Sequence, residues 1–267
     1  MADDPFAELK NRQREMWSSF APTALFTTPP AAHLVRFAEL KAGESVLDVG
    51  TGTGVVAITA ARLAARVTGL DLTPALLAEA RENARIAGCE GVVWIEGDAE
   101  RLPYPDASFD VVLSQFGHMF APRPDVTMAE MHRVLKPKGR VAFATWPPEH
   151  LVGRMFAFVG RNSPPPPPGA APPPQWGNPT VITERLGVGF DAPHFERGTM
   201  HFNALSPAHY RAFMERSVGP MQKLVEGLVG DPERLKSLRA EFDALAAPYF
   251  VDNVVRQDYL LTRAAKR

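Results

Sequence analysis

Three aspartates stand at the ends of successive short β-branched runs, and a glycine-rich turn follows the first of them. Asp48 lies in Val46-Leu47-Asp48-Val49, just before Gly50-Thr51-Gly52-Thr53-Gly54. Asp71 closes Arg66-Val67-Thr68-Gly69-Leu70-Asp71, and Asp98 follows a third run in Glu96-Gly97-Asp98-Ala99. A single Asp at a strand end is commonly a turn former or a helix cap. Three in succession beside a glycine turn point instead to a ligand site, because ligands of a doubly wound sheet bind beyond the carboxyl ends of its strands. Glycine at positions 50 and 52 lets a ligand come close to the backbone and lets the chain adopt positive φ at little cost.

A nucleoside suits these groups. The Asp71 carboxylate is able to accept from both ribose hydroxyls, Leu72 to cover one face of the base, and Asp98 with the Ala99 amide to face the base edge. Gly52-Thr53-Gly54-Val55-Val56-Ala57 also fits the G-x-G-x-x-A fingerprint, so a nicotinamide dinucleotide, and with it an oxidoreductase, is the rival reading. That ligand brings a pyrophosphate to the first turn, where Asp48 would repel it across a poorly screened gap. S-adenosylmethionine carries an ammonium and a sulfonium beside an adenosine and has no phosphate, which suits acidic strand ends.

The elements that must position these residues alternate from Lys41 to Thr145 between β-branched runs and helical patterns. Strands are expected at 46–49, 66–71, 92–95, 110–114 and 140–145. A helix follows the glycine turn. Another starts at Thr73-Pro74, with Thr as cap and Pro in the first turn, and stops at Gly88; a third ends before Pro137. The fold class expected is α/β, a doubly wound and mostly parallel Rossmann-like sheet.

Beyond Trp146 the composition changes. Residues 163–174 contain five consecutive prolines and then three more, which forbids regular helix and reads as a surface loop. Asn178-Pro179, Ser206-Pro207 and Asp231-Pro232 each look like a helix start, a strand is expected near 195–202, and 259–262 reads as a last strand. The organisation expected is an N-terminal helical segment over the site (1–40), a binding core (41–146), a Pro-rich loop, helix and strand (147–203), a helical cap (204–252) and a final strand (253–267).

The segment from Val46 to Gly54 closely resembles motif I of the class I S-adenosylmethionine-dependent methyltransferases. Asp71 stands where that family has its ribose-binding acid, and Gly97-Asp98-Ala99-Glu100-Arg101-Leu102-Pro103-Tyr104-Pro105-Asp106-Ala107-Ser108-Phe109-Asp110 resembles the segment that holds the adenine. Arg133-Val134-Leu135-Lys136-Pro137-Lys138-Gly139-Arg140 is similar to the turn before strand five in the type 11 branch, which includes quinone-biosynthesis C-methyltransferases. The resemblance covers about residues 40 to 146 and implies S-adenosylmethionine as cofactor, with S-adenosylhomocysteine as product. By it, Asp48, Gly50, Gly52 and Thr53 surround the methionine end. Asp71 and Leu72 meet the ribose and adenine, and the Gly97-Asp98-Ala99-Glu100 segment meets the adenine edge. Thr51, where the family often has Cys, leaves cofactor binding intact. Ser114 and Gln115 would lie beneath the sulfonium, and Trp17 and Phe20 would fold over the cofactor from an N-terminal helix.

Methyl transfer from a sulfonium is an in-line displacement that mainly needs alignment and exclusion of water; a base is needed only for some acceptors. His118 is the best-placed candidate base, with Glu149 and His150 behind it, whereas His194 and His201 read as ordinary strand residues. Trp146, Met155, Phe156, Trp176, Tyr210, Phe213, Met214, Met221 and Phe242 are expected to build the cap, some of them lining an apolar acceptor pocket. The acceptor expected is a small, apolar or aromatic molecule. Ser114-Gln115-Phe116-Gly117 stands where amino methyltransferases of adenine or glutamine have Asn/Asp-Pro-Pro-Tyr, which disfavours those substrates. The single Cys89 argues against chemistry that needs thiols.

A formal net charge of −1 gives no general pull towards nucleic acid. One cysteine excludes an internal disulfide framework, and no stretch approaches the roughly 20 apolar residues of a membrane span. A cytoplasmic protein without a nucleic-acid partner is expected. A protein that binds S-adenosylmethionine without catalysis is the third reading.

Overall fold

Alternation of β-branched runs with helical stretches produces a sheet flanked by helices, seen in a computed structural model that describes residues 4–63 and 65–267. Two helices come first, α1 (Ala7–Trp17) and α2 (Ala24–Phe37). The repeating part follows: β1 (Ser45–Val49), α3 (Val55–Ala61), β2 (Arg66–Asp71), α4 (Pro74–Ile86), β3 (Val93–Glu96), β4 (Phe109–Gln115), α5 (Pro124–Val134) and β5 (Leu135–Thr145). The remainder is α6 (Leu151–Arg161), α7 (Pro179–Leu186), β6 (His194–Asn203), α8 (Pro207–Ser217), α9 (Gly219–Glu226), α10 (Pro232–Ala246), β7 (Phe250–Val251) and β8 (Val254–Ala265).

The sheet runs β3-β2-β1-β4-β5-β8-β6, with β7 paired to β8. The first five strands are parallel; β8 is antiparallel to both β5 and β6. Strand order therefore reverses between β1 and β4, and the crevice at their carboxyl ends is where such a sheet holds ligands. The last strand extends well beyond the apolar run 259–262, within the segment 253–267 expected to hold it. Its twelve residues insert between β5 and β6, and pairing on both edges keeps it extended well beyond its most apolar stretch.

Three of the expected helix starts carry their cap. Asn178 accepts from the amides of Thr180 and Val181, Ser206 from His209, and Asp231 from Arg234. Thr73 makes no side-chain cap bond; its amide donates instead to Asp71 Oδ1 at 2.8 Å. Two apolar cores result. One surrounds the sheet and takes in Ala31, Leu34 and Val35 of α2, so α2 is part of the sheet's covering layer, with Thr27 in its first turns also reaching the cavity, while α1 lies over the site. The other unites Leu151, Met155 and Phe158 of α6 with Tyr210, Leu238 and Phe242. The cap thus includes α6, ahead of the expected boundary at 204, because its apolar residues recur at helical spacing on one face.

At the opposite end of the sheet, Asp110 ties the start of β1 to the start of β5, which begins at Leu135 and takes in the Lys136–Gly139 segment read from the sequence as a turn. It accepts from the Ser45 amide (2.8 Å), the Ser45 hydroxyl (2.6 Å) and Lys136 Nζ (2.9 Å). Against the desolvation of a partly buried carboxyl, these bonds from Ser45 and Lys136 hold its pKa down to about 2. Because the folded-state pKa lies below the unfolded value, the stability it contributes is complete above about pH 4 and fades as pH falls towards 2. Asp110→Asn is expected to cost about 1–3 kcal/mol at pH 7 and to flatten the loss of stability between pH 4 and 2, read from urea unfolding at each pH.

Candidate active site

A cavity of about 240 Å³ opens at the carboxyl ends of β1, β2 and β4 and continues beneath α1, α6, α8 and α9. The turn after β1 forms part of its wall. Gly52 there has φ +55°, and a Cβ built on it meets nothing within 4 Å, so the glycine serves the backbone conformation and leaves space open. Gly50 is different. A Cβ on it would come within 2.7 Å of Gly117 Cα, and one on Gly117 within 2.6 Å of Gly50 O. The turn after β1 and the loop after β4 pack backbone to backbone at the point where strand order reverses.

Asp48 lies beneath this turn, almost wholly buried and outside the cavity wall. Its Oδ2 accepts from the Thr51 hydroxyl (2.6 Å) and the Ala57 amide (3.1 Å), while Oδ1 has no partner among the described residues. Desolvation pushes its pKa up to about 7 against those two hydrogen bonds. The expected repulsion of a pyrophosphate is thereby weaker than for a full carboxylate, since the group holds a proton much of the time near neutrality. Asp71 does line the cavity. Its two oxygens gather the amides of Gly52 and Thr73, each at 2.8 Å, and burial raises its pKa as well.

Thr51, Thr53, Leu72, Gly97, Asp98 and Ala99 also line the cavity, and the Thr53 hydroxyl is buried without a partner among the described residues. Trp17 and Phe20 close it from the N-terminal side, with Trp17 packed on Phe120 at 4.7 Å. Gln115 lines it too; its Nε2 donates to Thr27 O at 2.9 Å and its Oε1 is buried and unpartnered among the described residues.

Three expected site residues do other work. Ser114 is fully buried off the cavity, donating to Val49 O (2.6 Å) and accepting from the His118 amide (3.1 Å), so it braces the strand ends. Glu100 turns inward, where a buried carboxylate needs cations. It accepts from Lys10 Nζ (2.6 Å) and from the Arg123 guanidinium (2.7 Å). His118 reaches the cavity, but its ring lies between Phe143 and Trp176, both ring nitrogens lack partners among the described residues, and burial drives its pKa down to about 3. A base that weak is poorly matched to proton abstraction near neutral pH. His150 and Glu149 lie outside the cavity wall, near Arg197.

Lys10 carried no signal in the sequence. Its Nζ reaches Asp4, Asp98 and Glu100, each at 2.6 Å, and so fastens α1 to the loop after β3. Against desolvation, the three carboxylates keep its pKa above the ordinary lysine range. On the cap side, Trp146, Met155, Phe156, Tyr210, Met214 and Met221 line the cavity as expected, joined by Met200 and Gln257. Trp176, Phe213 and Phe242 are packed elsewhere, Phe242 against Phe158 and Phe213 against Phe202. Among the described residues no helix is long and apolar enough to cross a membrane.

The sheet order, the glycine turn at its reversal point and the acidic cavity edge define a nucleotide-type α/β enzyme site. The family model described as a methyltransferase domain, type 11, matches residues 47–143. An uncharacterized protein of Mycobacterium tuberculosis is 32% identical over 257 residues, spanning 95% of this chain and 93% of that one. Demethylmenaquinone methyltransferase of Thermus thermophilus is 40% identical over 110 residues, 40% of this chain and 50% of its own. The phosphoethanolamine N-methyltransferase 2 of Haemonchus contortus, solved with S-adenosyl-L-methionine, shares the fold at a TM-score of 0.55 and 21% identity, over 89% of this chain and 52% of that one. This chain belongs to the type 11 family of S-adenosylmethionine-dependent methyltransferases.

The buried Asp48 carries a pH signature. Its folded-state pKa exceeds the unfolded value, so the folded state binds the proton more tightly and stability falls as pH rises from about 4 to 7. Relative to Asp48→Asn, the native chain is expected to lose stability across that window with a slope of at most about 1.4 kcal/mol per pH unit. Urea unfolding of both proteins at pH 4, 5.5 and 7 measures the difference; parallel curves would contradict the assignment.

Proposed function

We propose that the chain transfers a methyl group from S-adenosylmethionine, held against the glycine turn, to a small, neutral, largely apolar molecule in the cap half of the same cavity. The observation that carries this reading is the division of one continuous cavity. Its turn side is edged by Asp71 and Asp98, and its cap side by methionine and aromatic side chains.

The residues at the turn fit the group. Among the described residues Asp48 Oδ1 and Thr53 Oγ1 are buried without partners, and the lining carboxylates favour a ligand with cationic groups over one with phosphates. Thr51, Gly52 and Thr53, with Asp48 beneath them, would hold the methionine end. Asp71, with a lone pair left on each oxygen after its two amide bonds, would hold the ribose hydroxyls, and Leu72 and Ala99 would flank the adenine. When bound, S-adenosylmethionine supplies an electrophilic methyl group on a sulfonium.

The protein's own contribution is alignment and exclusion of water. Trp17, Phe20 and Phe120 cover the cavity from α1, the turn that follows it and the loop after β4, and the cap covers it from the other side. His118 stays neutral and Tyr210 keeps its phenolic proton, because burial disfavours the charged form of each. Neither is suited to remove a proton at neutral pH, so this reading assigns the chain no general base. The oxidoreductase reading is disfavoured on the same geometry: Lys10 is the lysine or arginine lining the cavity, and its three N–H bonds are taken by carboxylates.

S-adenosylhomocysteine is expected to raise the thermal midpoint, whereas nicotinamide dinucleotides leave it unchanged. Asp71→Asn should weaken S-adenosylhomocysteine binding by about tenfold or more, through lost charge-assisted hydrogen bonds, with the circular dichroism spectrum retained. Calorimetry with both proteins is the test, and equal affinities would refute the role given to Asp71.

A further inference from the structure

The cap half of the cavity is walled by Val152, Met155, Phe156, Val159, Met200 and their neighbours, with two polar side chains set side by side among them. Tyr210 comes from α8 and Gln257 from β8. Both are at least 97% buried, and Gln257 Nε2 donates to the Tyr210 hydroxyl at 2.9 Å. The Tyr210 hydroxyl in turn donates to Met155 Sδ at 3.3 Å. A thioether is a weak acceptor, so that proton is available to a stronger one. Among the described residues Gln257 makes this one side-chain hydrogen bond, which leaves its second N–H and its Oε1 free. Polar groups kept half-satisfied inside an apolar wall are costly unless something else completes them.

We propose that Tyr210 and Gln257 form a polar anchor by which the cavity recognises a hydroxyl group on a neutral, otherwise apolar ring compound, the methyl acceptor. This rests on the reading of the cavity given above and adds the chemistry of the acceptor. A hydroxyl both donates and accepts, and the pair offers the complement: Tyr210 O–H and the Gln257 amide as donors, Gln257 Oε1 as acceptor. Charge excludes other classes. Lys10 is spent on Asp4, Asp98 and Glu100, so among the described residues a phosphate or carboxylate on the acceptor would meet no free lysine or arginine in the cavity wall. The lining carboxylates, Asp71 and Asp98, belong to the turn side, so a cationic acceptor gains nothing on the cap side. Four methionines, Met155, Met200, Met214 and Met221, give that side an adaptable surface for a flat ring, next to Trp146.

Equilibrium dialysis of the full chain against 2-naphthol and against naphthalene, with and without S-adenosylhomocysteine, tests the anchor. The native protein is expected to bind 2-naphthol at least about tenfold more tightly than naphthalene, since a site built to bond a hydroxyl rejects the analogue that lacks it. Tyr210→Phe and Gln257→Leu should each bring that ratio close to one while S-adenosylhomocysteine affinity and the circular dichroism spectrum stay unchanged. Equal binding of the two probes by the native chain, binding of neither, or a ratio that survives both substitutions overturns the proposal. Failure to bind S-adenosylhomocysteine would refute the cofactor reading instead, because the naphthol ratio is measured in its absence as well.

Discussion

The contact of Gly50 with Gly117 is the constraint on which the site depends. A side chain on either residue would lie within 2.7 Å of the other's backbone, so the turn after β1 and the loop after β4 are able to meet only as bare main chain. Their meeting point is where the sheet reverses its order. From it the first turn swings over Asp48 on one side, and Gln115, Phe116 and His118 enter the cavity wall on the other. Moving either loop outward would separate the polar side of the cavity from the side that the cap covers.

Burial sets the electrostatics of that junction. Asp48 and Asp71 are both desolvated, which raises the pKa of each, that of Asp48 to about 7. A site built this way stores negative charge that a cationic ligand would draw out, with release of a proton. Lys10 works in the opposite sense. Surrounded by three carboxylates, it neutralises the loop after β3, fastens α1 across the cavity and keeps Glu100 from being an unpaired buried charge. Arg123 completes the neutralisation from the start of α5.

The cap turns a nucleotide site into a two-part cavity. It is assembled from helices distant in sequence, α6 with α8, α9 and α10, around Phe158, Tyr210 and Phe242. The same residues that seal its core present Met155, Met214 and Met221 to the cavity, so the packing of the cap and the shape of the acceptor side are not separable. Gln257 enters from β8, a strand whose position between β5 and β6 carries it under the cap.

What the sequence determined by itself was local and periodic. The parallel strands, the glycine turn, the helix starts at Asn178, Ser206 and Asp231, and the cavity-edge residues Asp71, Leu72 and Asp98 follow from short patterns whose geometry is set by neighbours along the chain. The tertiary structure decided what depends on partners far away. Glu100 and Ser114 look like site residues until Lys10, Arg123 and Val49 are brought against them. His118 looks like a base until Phe143 and Trp176 enclose it and desolvation removes its affinity for a proton. Tyr210 and Gln257 gave no signal as a pair because 47 residues separate them. Burial and long-range pairing set both the charge of a side chain and the direction it faces, and neither is written in the residues beside it.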